Sequence, residues 1–286
     1  MSDLKGVLER LYASRSSGCL DNDPLSFCHR YDDPADREVA AVISSSFAYG
    51  GINIILRTLE SIFFRLGPSP CRTVMETAPQ RLLKTFAGFR HRFNDGRDLT
   101  ALLWALRQMI EQSGSVERFF LRFWRADDMD IGPALDGYTR SVLAMDYRPV
   151  FGSAGLPGDS YFRFLFPAPS SGSACKRLCM FLRWVVRPAD GIDLGLWSGV
   201  APSQLVIPVD THVRRIAGYL GLTARRQADW RMATEITAAL RCFDHADPVR
   251  YDFALAHLGI SAGCDGKDRE LCRECLLHGV CRAAGG

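Results

Sequence analysis

The chain has 286 residues, of which 47% are hydrophobic and 23% are charged. This composition excludes a disordered or fibrous chain and is sufficient for one large domain or two interleaved domains. Neither a secretory signal nor an apolar run of the ~20 residues that cross a membrane is visible, so we expect a cytoplasmic protein. A formal charge of +3 permits a polyanionic partner without requiring one.

Lysine is rare among the basic residues, and several of the cysteines are concentrated in one short segment. Only Lys5, Lys84, Lys176 and Lys267 contribute lysine to the 35 basic residues, and four of the ten cysteines fall within 264–281. Arginine stays protonated and cannot act as an amine nucleophile, so each lysine is of interest. We interpret the other six cysteines as small, mostly buried hydrophobic residues in a reducing compartment.

Hydrophobic periodicity predicts helices along most of the chain. In the first half they are predicted at 3–13, 38–47, 52–66, 79–85, 99–112, 116–125 and 133–144, with a loop at 68–70. The segment 146–173 is rich in Pro, Gly, Ser and aromatic residues, which is typical of an ordered functional loop or an insertion. Helices resume at 174–187, 210–220, 229–240 and 248–259, the last one capped by Asp247. No strand or two-residue hairpin pattern is visible, so the predicted fold class is all-α.

Asp210 lies in the stretch Ile-Pro-Val-Asp-Thr-His-Val at 207–213, where a helix is predicted to begin. Apolar residues follow at helical spacing, and Gly221 ends the pattern. An aspartate at this position accepts backbone N–H bonds and stabilises the helix by about 1 kcal/mol. The alternative is a catalytic carboxylate, and the two roles are compatible.

Four cysteines near the end of the chain form the pattern Cys264-x7-Cys272-x2-Cys275-x5-Cys281. Four soft thiolate donors this close together can surround one tetrahedral metal ion or one cubane cluster. Structural zinc more often uses two Cys-x2-Cys pairs, and only one is present, so the pattern favours a 4Fe-4S cluster over zinc. Free or disulfide-bonded cysteines are the remaining alternative.

These motifs resemble those of the helix-hairpin-helix DNA glycosylases, in particular the branch of endonuclease III and the adenine glycosylases, which carries an iron-sulfur cluster. Ala254-x3-Leu258-Gly259 followed by the four cysteines is similar to their cluster module, although the first gap is one residue longer than usual. The stretch around Asp210 is similar to the segment of their catalytic aspartate, 38–49 to the helix that enters their DNA-wedging loop, and 88–93 to their next helix junction.

The resemblance spans about residues 36–281 and implies a two-lobed fold. One lobe would be a helical barrel at 36–200, and the other would join 1–35 to 201–286 and carry the cluster. The active cleft would lie between the two lobes.

Lys176 is the lysine that the resemblance singles out. The superfamily's hairpin normally reads Leu-Pro-Gly-x-Gly with a lysine nearby, whereas the matching place here, 191–193, has neither. Lys176 lies 34 residues before Asp210, a separation similar to that in the archaeal 8-oxoguanine glycosylase branch, whose lysine opens a helix. If Ser173 caps the helix, Lys176 lies in its first turn, where the positive end of the helix dipole favours a neutral amine. A surface lysine is the alternative.

The resemblance implies a DNA glycosylase with AP lyase activity. Asp210 would stabilise positive charge at C1′, and Lys176 would attack that carbon and form a Schiff base that permits strand cleavage. The partner implied is double-stranded DNA, from which a damaged or modified base is flipped into a pocket of a monomeric protein.

Further residues are expected at the DNA and around the base. The expected DNA contacts are Phe47, Tyr49, Arg214, Arg215, Lys267 and Arg269. Phe47 can equally be a wedge in the DNA or a buried core residue. The aromatic residues that could form the pocket wall are Phe151, Tyr161, Phe162, Phe164 and Trp184. His212 is expected to form hydrogen bonds or face phosphate rather than bind a metal.

Two other functions fit the same motifs. In a monofunctional glycosylase, Asp210 would activate water and Lys176 would be incidental. A non-catalytic DNA-binding iron-sulfur protein is the alternative from another class, because the hairpin glycines and lysine of the superfamily are missing.

Overall fold

Helices make up most of the structure, as the all-α prediction requires. The computed structural model describes residues 2–14, 17–260 and 263–283. The α-helices are α1 (Ser2–Ala13), α2 (Pro34–Ser46), α3 (Ile52–Leu66), α4 (Pro70–Glu76), α5 (Pro79–Thr85), α6 (Gly96–Ser113), α7 (Val116–Leu121), α8 (Gly132–Leu143), α9 (Arg148–Phe151), α10 (Phe162–Leu165), α11 (Lys176–Val186), α12 (Thr211–Tyr219), α13 (Trp230–Arg241), α14 (Asp252–Ile260) and α15 (Arg269–Glu274). Short 3₁₀ helices span Ser17–Asn22, Pro24–Arg30, Pro169–Ser171, Pro202–Gln204 and His278–Val280. Within the described ranges, no helix is long and apolar enough to cross a membrane.

Aspartate side chains fix the starts of several helices. Asp33, Asp95 and Asp210 accept backbone N–H bonds at the first turns of α2, α6 and α12. These bonds satisfy donors that have no partner inside the helix. The prediction that Asp210 caps a helix is therefore confirmed. The predicted end of α12 is confirmed as well, because Gly221 has a φ of 70°, a conformation that residues with a side chain rarely adopt.

A short β-hairpin was not predicted. Strand β1 (Arg90–His91) pairs antiparallel with β2 (Asn94–Asp95), so that Arg90 faces Asp95 and His91 faces Asn94. Strands of two residues are too short to show alternation, and the turn between them holds Arg92 at a φ of 52°, where glycine or asparagine is usual. The prediction that the chain contains no hairpin is wrong at this point.

Other elements differ from the prediction. Helix α4 begins at Pro70, the last residue of the predicted loop, and runs through residues for which no element was predicted. Helix α15 lies between the cysteines, and α14 begins at Asp252 rather than at Pro248. Asp247, the predicted cap of that last helix, instead forms an ion pair with Arg187 at 2.8 Å. A tertiary ion pair has here overridden a local start signal.

The buried hydrophobic residues of both predicted lobes form one continuous cluster. Helix α2 is buried along nearly its whole length and packs against α11, while α12 packs against α14. The division into two lobes stays a prediction. This packing brings the loop after α2 and the first turns of α11, α12 and α14 to one side of the molecule.

Candidate active site

An open cavity of about 840 Å³ lies where the loop after α2 meets the starts of α11, α12 and α14. Its volume is in the range of sites that hold small organic ligands. Both Lys176 and Asp210 line this cavity, although 34 residues separate them in the sequence. The structure therefore brings together the two side chains that the sequence singled out.

Lys176 is the first residue of α11 and is half-buried. Its Nζ donates a hydrogen bond to the carbonyl of Ala48 at 3.4 Å. The prediction that Ser173 caps this helix is wrong. Cys175 is the N-cap, and its φ of 48° shows that the helix cannot extend further back, while the Ser173 hydroxyl accepts a bond from the Cys175 N–H. The amine thus lies beside the positive end of α11, at the cavity wall.

The carboxylate of Asp210 is held in place by the backbone. Oδ1 accepts hydrogen bonds from the N–H groups of His212 at 2.8 Å and Val213 at 2.7 Å. In the part of the chain that the structure describes, no donor binds Oδ2. One oxygen of Asp210 therefore fixes the side chain, and the other stays available to a ligand.

Arg177 adds a second cation beside Lys176. It is buried, donates to the carbonyls of Ser46 and Phe164, and places its guanidinium 4.2 Å from the ring centre of Phe164 and 4.9 Å from that of Tyr49. Burial lowers the pKa of Arg177 to about 10, which leaves it charged at neutral pH. Among the described residues no carboxylate forms an ion pair with it. The sequence pattern did not distinguish Arg177 from the many other arginines.

The loop after α2 is fixed by the β-hairpin. His91, which is buried, donates from Nε2 to the carbonyl of Tyr49 at 2.9 Å and accepts from the Thr58 hydroxyl at Nδ1. Burial lowers the pKa of His91, which favours this neutral form. Tyr49 lines the cavity, whereas Phe47 is fully buried against Phe89 and His91. Phe47 is thus the core residue of the two alternatives and does not reach the surface.

Three aromatic rings lie exposed at the rim of the cavity. Phe93, Tyr161 and Phe164 are 47%, 52% and 42% exposed, and Phe93 stacks on Tyr161 with the ring centres 5.5 Å apart. Phe164 also lines the cavity, and the guanidinium of Arg92 lies 5.5 Å from the centre of the Phe93 ring. Such a set of exposed rings and cations suits the faces of nucleobases.

Only two of the five aromatic residues predicted to form the pocket wall lie on the wall of this cavity. Phe164 and Trp184 line the cavity, whereas Phe162 is fully buried in the core and neither Phe151 nor Tyr161 lies on the cavity wall. The segment 146–173 therefore contributes Phe164, Pro167 and Ser173 to the cavity wall, while Tyr161 lies at the rim.

The cavity also contains a buried carboxylate that the sequence analysis missed. Asp252, the first residue of α14, lines the cavity, and its Oδ2 accepts a bond from Arg183 at 2.6 Å. Its Oδ1 is buried without a hydrogen-bond partner among the described residues. Burial raises the pKa of Asp252 to about 6, although the charge of Arg183 acts in the opposite direction. The available signal was a lone acidic residue at the start of an otherwise apolar helix.

Arg183 belongs to a network of buried ion pairs behind the cavity. Its Nε donates to Asp193 at 3.2 Å, and Asp193 also pairs with Arg187. Asp193 lies in the segment 191–193, which is matched to the glycosylase hairpin only through the sequence resemblance. The position carries a buried structural charge here.

A histidine and an aspartate form a further pair on the cavity wall. His257 is buried, lies 3.4 Å from Asp23 and packs its ring on Phe253. Burial alone would raise the pKa of Asp23, but the hydrogen bonds from His257 and the Leu25 backbone outweigh it and lower the pKa. The sequence showed no spacing that connects these two residues.

The predicted basic DNA contacts differ in their surroundings. Arg214, Lys267 and Arg269 are exposed, whereas Arg215 is half-buried and donates to the carbonyl of Cys264. His212 lies within 3.4 Å of the Arg215 guanidinium and lines the cavity. Arg215 therefore connects α12 to the cysteine segment.

The four C-terminal cysteines lie around one small cavity of about 20 Å³. Cys264, Cys272 and Cys275 also border an adjacent cavity of about 410 Å³. The nine cysteines that the structure describes in full are free thiols, and these four are among them. The pKa of Cys272 is raised, first by burial and then by the charges of Cys281 and Cys275.

The donor set fits a metal centre in its chemistry. The Leu277 N–H donates to Sγ of Cys275 at 3.4 Å, a bond that commonly supports metal-bound thiolates. Within residues 2–14, 17–260 and 263–283, however, no three His, Cys, Asp or Glu side chains are already arranged as a site for a single metal ion. The four thiols are thus gathered but not in coordination geometry.

Comparison with known proteins assigns the chain to a family. No curated protein and no solved structure matches it. One family model, described as a protein of unknown function (DUF2400), matches residues 23–261. This range contains Lys176, Asp210 and Asp252 and ends before the first C-terminal cysteine. Since the match covers well over half of the sequence, the chain belongs to the DUF2400 family.

Proposed function

We propose that the chain is a DNA base-excision glycosylase with AP lyase activity, acting on a damaged or modified base. The observation that carries the proposal is the shared cavity of Lys176 and Asp210. An amine at a helix start and a backbone-held carboxylate with one free oxygen are the two groups that this chemistry requires.

The surroundings of the pair support a nucleic acid as the ligand. Arg177 presents a positive charge that no carboxylate of the described chain neutralises, which suits an anionic backbone. The exposed rings of Phe93, Tyr161 and Phe164 at the rim suit the faces of bases next to the one that is flipped. The resemblance to the helix-hairpin-helix glycosylases points in the same direction.

In the proposed reaction, the flipped nucleotide places C1′ between Lys176 and Asp210. The amine attacks C1′ with its lone pair while the bond to the base breaks and its electron pair leaves with the base. Asp210 stabilises the positive charge that develops on the sugar. A proton passes from the attached nitrogen to O4′ as the sugar ring opens, which gives a protonated Schiff base. Loss of a C2′ proton then expels the 3′ phosphate by β-elimination.

Cys264, Cys272, Cys275 and Cys281 would hold a 4Fe-4S cluster, with zinc as the alternative. When bound, such a group would supply a cross-link for the C-terminal segment. Arg215 and Tyr219 of α12 donate to carbonyls of this segment and connect it to the helix that Asp210 begins.

The test uses the full-length protein and duplex oligonucleotides that carry single modified bases or an abasic site. We expect base release and a covalent adduct on borohydride reduction, and we expect Lys176→Gln to abolish the adduct. Lys84→Gln, which changes an exposed lysine that does not line the cavity, is the matched control and should keep the adduct. Asp210→Asn should lower base release by about 100-fold or more.

The other outcomes separate the alternatives. Base release without an adduct would remove the lyase step and leave a monofunctional glycosylase. If the protein binds DNA, releases no base from any duplex and binds equally well as Asp210→Asn, it is a non-catalytic DNA-binding protein and the proposed activity is wrong.

A further inference from the structure

We propose that Asp252 is a third catalytic residue of this cavity and gives its carboxyl proton to the departing base. The inference rests on the proposed glycosylase function. Lys176 and Asp210 act on the sugar, and neither supplies a proton to the base. The departing base takes the electron pair of the broken bond and therefore needs a proton.

The geometry of Asp252 suits this role. Oδ2 is held by Arg183, whereas Oδ1 is buried, unpartnered and part of a residue that lines the cavity. An unpaired buried polar atom is unfavourable, and a ligand that hydrogen-bonds to it removes that penalty. The free oxygen of Asp252 is therefore a built-in contact for a polar atom of the base.

The neighbouring charges make a protonated carboxyl available. Asp252 faces Arg183 from α11, Asp210 from the start of α12 and Asp193 from the loop after α11. On its own helix lies His257, which is engaged with Asp23. Burial and the two nearby carboxylates favour the neutral acid, and the pKa of about 6 keeps a share of it protonated near neutral pH.

Asp252 donates its proton as the bond between the sugar and the base breaks. The C1′–N bond breaks and its electron pair moves to the base, the O–H bond of Asp252 breaks, and the proton binds the base. Asp252 is left as a carboxylate facing Arg183. Solvent returns the proton after the base has left.

The test compares Asp252→Asn with Asp193→Asn on two DNA substrates. Asp193 is an equally buried partner of Arg183 that does not line the cavity, so its variant controls for the loss of an ion pair. On DNA with the modified base, we expect Asp252→Asn to release base about 100-fold more slowly. We expect Asp193→Asn to slow it far less, because Asp193 is one of several groups that favour the neutral acid of Asp252 and does not itself donate the proton. On DNA with a preformed abasic site, both variants should form the borohydride adduct, because no base has to leave.

Three outcomes would each overturn the role of Asp252 as proton donor. Asp252→Asn could release base at the wild-type rate, or both variants could lose base release equally. Asp252→Asn alone could also fail to form the adduct on abasic-site DNA. A wild-type protein that neither releases base nor traps abasic DNA would overturn the glycosylase function instead. The wild-type pH profile gives a second measurement if a variant does not fold. Base release should fall above about pH 6 while adduct formation on abasic DNA lacks that decline, and a shared profile would contradict the role.

Discussion

Asp210 uses its two carboxylate oxygens for different purposes. The bonds from His212 and Val213 fix Oδ1, so the side chain cannot rotate unless the first turn of α12 opens. The orientation of Oδ2 is thereby set when the protein folds. A residue with a longer side chain, such as glutamate, could not keep both the cap and this orientation.

Asp252 should give stability an unusual pH dependence. Its pKa of about 6 lies above the ordinary value of 3.8, so the folded chain holds a proton that the unfolded chain releases between these pH values. Stability from this group is therefore full below about pH 4 and is lost as pH rises to about 6. A pKa difference of this size corresponds to about 3 kcal/mol.

Urea unfolding of wild type and Asp252→Asn from pH 4 to 7 measures this contribution, since asparagine does not titrate. The free energy of unfolding of wild type should rise relative to the variant as pH falls from 6 to 4. A constant difference across this range would show that the carboxyl does not change its protonation there.

At the residue level, the sequence located side chains with a positional signal. Asp210 begins a periodic helix after a proline, and Lys176 is one of four lysines. Asp252 and Arg177 carry no comparable signal, because their importance comes from long-range burial. For Phe47, the motif allowed a DNA contact. The motif could not show that Phe89 and His91 enclose the Phe47 ring in the core.

The contact of α12 with α14 depends on a glycine. An ideal Cβ on Gly259 would lie 2.3 Å from Nδ1 of His212, whereas a Cβ on Gly218 would meet nothing within 4 Å. Gly259 therefore lets α14 approach the first turn of α12, where Asp210 is held. In the sequence, Gly259 was part of a motif that resembles the glycosylases. The sequence could not show that the side chain of His212 occupies the space next to Gly259.

We expect Gly259→Ala to destabilise the protein by about 1–3 kcal/mol, because α12 and α14 must move apart. Gly218→Ala, on the open side of α12, should stabilise it by about 0.5 kcal/mol through helix propensity. Thermal and urea unfolding measure both. Equal effects of the two substitutions would show that the close approach of the helices is not needed.

Element boundaries were predictable where a local signal such as a proline in the first turn sets them, and the prediction failed where tertiary contacts set them. Helix α5 (Pro79–Thr85) lies where it was predicted. Helix α14 starts later than its sequence signals suggest, because Arg187 draws Asp247 into the ion-pair network. The β-hairpin depends on the fit of His91 beneath Tyr49, which no local pattern contains.

On the scale of the whole molecule, the C-terminal cysteine segment is attached to the helix of Asp210. Arg215 and Tyr219 donate to the carbonyls of Cys264 and Asp265, and the backbone N–H of Arg282 donates to the carbonyl of Tyr219. Order in the cysteine segment should therefore contribute to order in the cavity, although the thiols themselves lie elsewhere.

We expect the purified protein to contain about four iron atoms per chain, and Cys275→Ser to lose most of them. Its melting temperature should fall by roughly 5 °C or more, because the segment loses its cross-link. Metal analysis and thermal unfolding test this, with the exposed Cys242→Ser as the matched control. One zinc per chain would replace the iron-sulfur assignment, and an unchanged metal content in Cys275→Ser would exclude this thiol as a ligand.

The position of Arg177 has a consequence for how long the protein persists in a cell. Its charge is buried among carbonyls and ring faces, without a carboxylate from the described chain, and such a charge weakens the empty protein. An anionic ligand that binds only the folded chain would offset this weakness by an amount that grows with the logarithm of its concentration. The lifetime of the protein against proteolysis would then follow the supply of its ligand, so that copies without a substrate are the ones removed first.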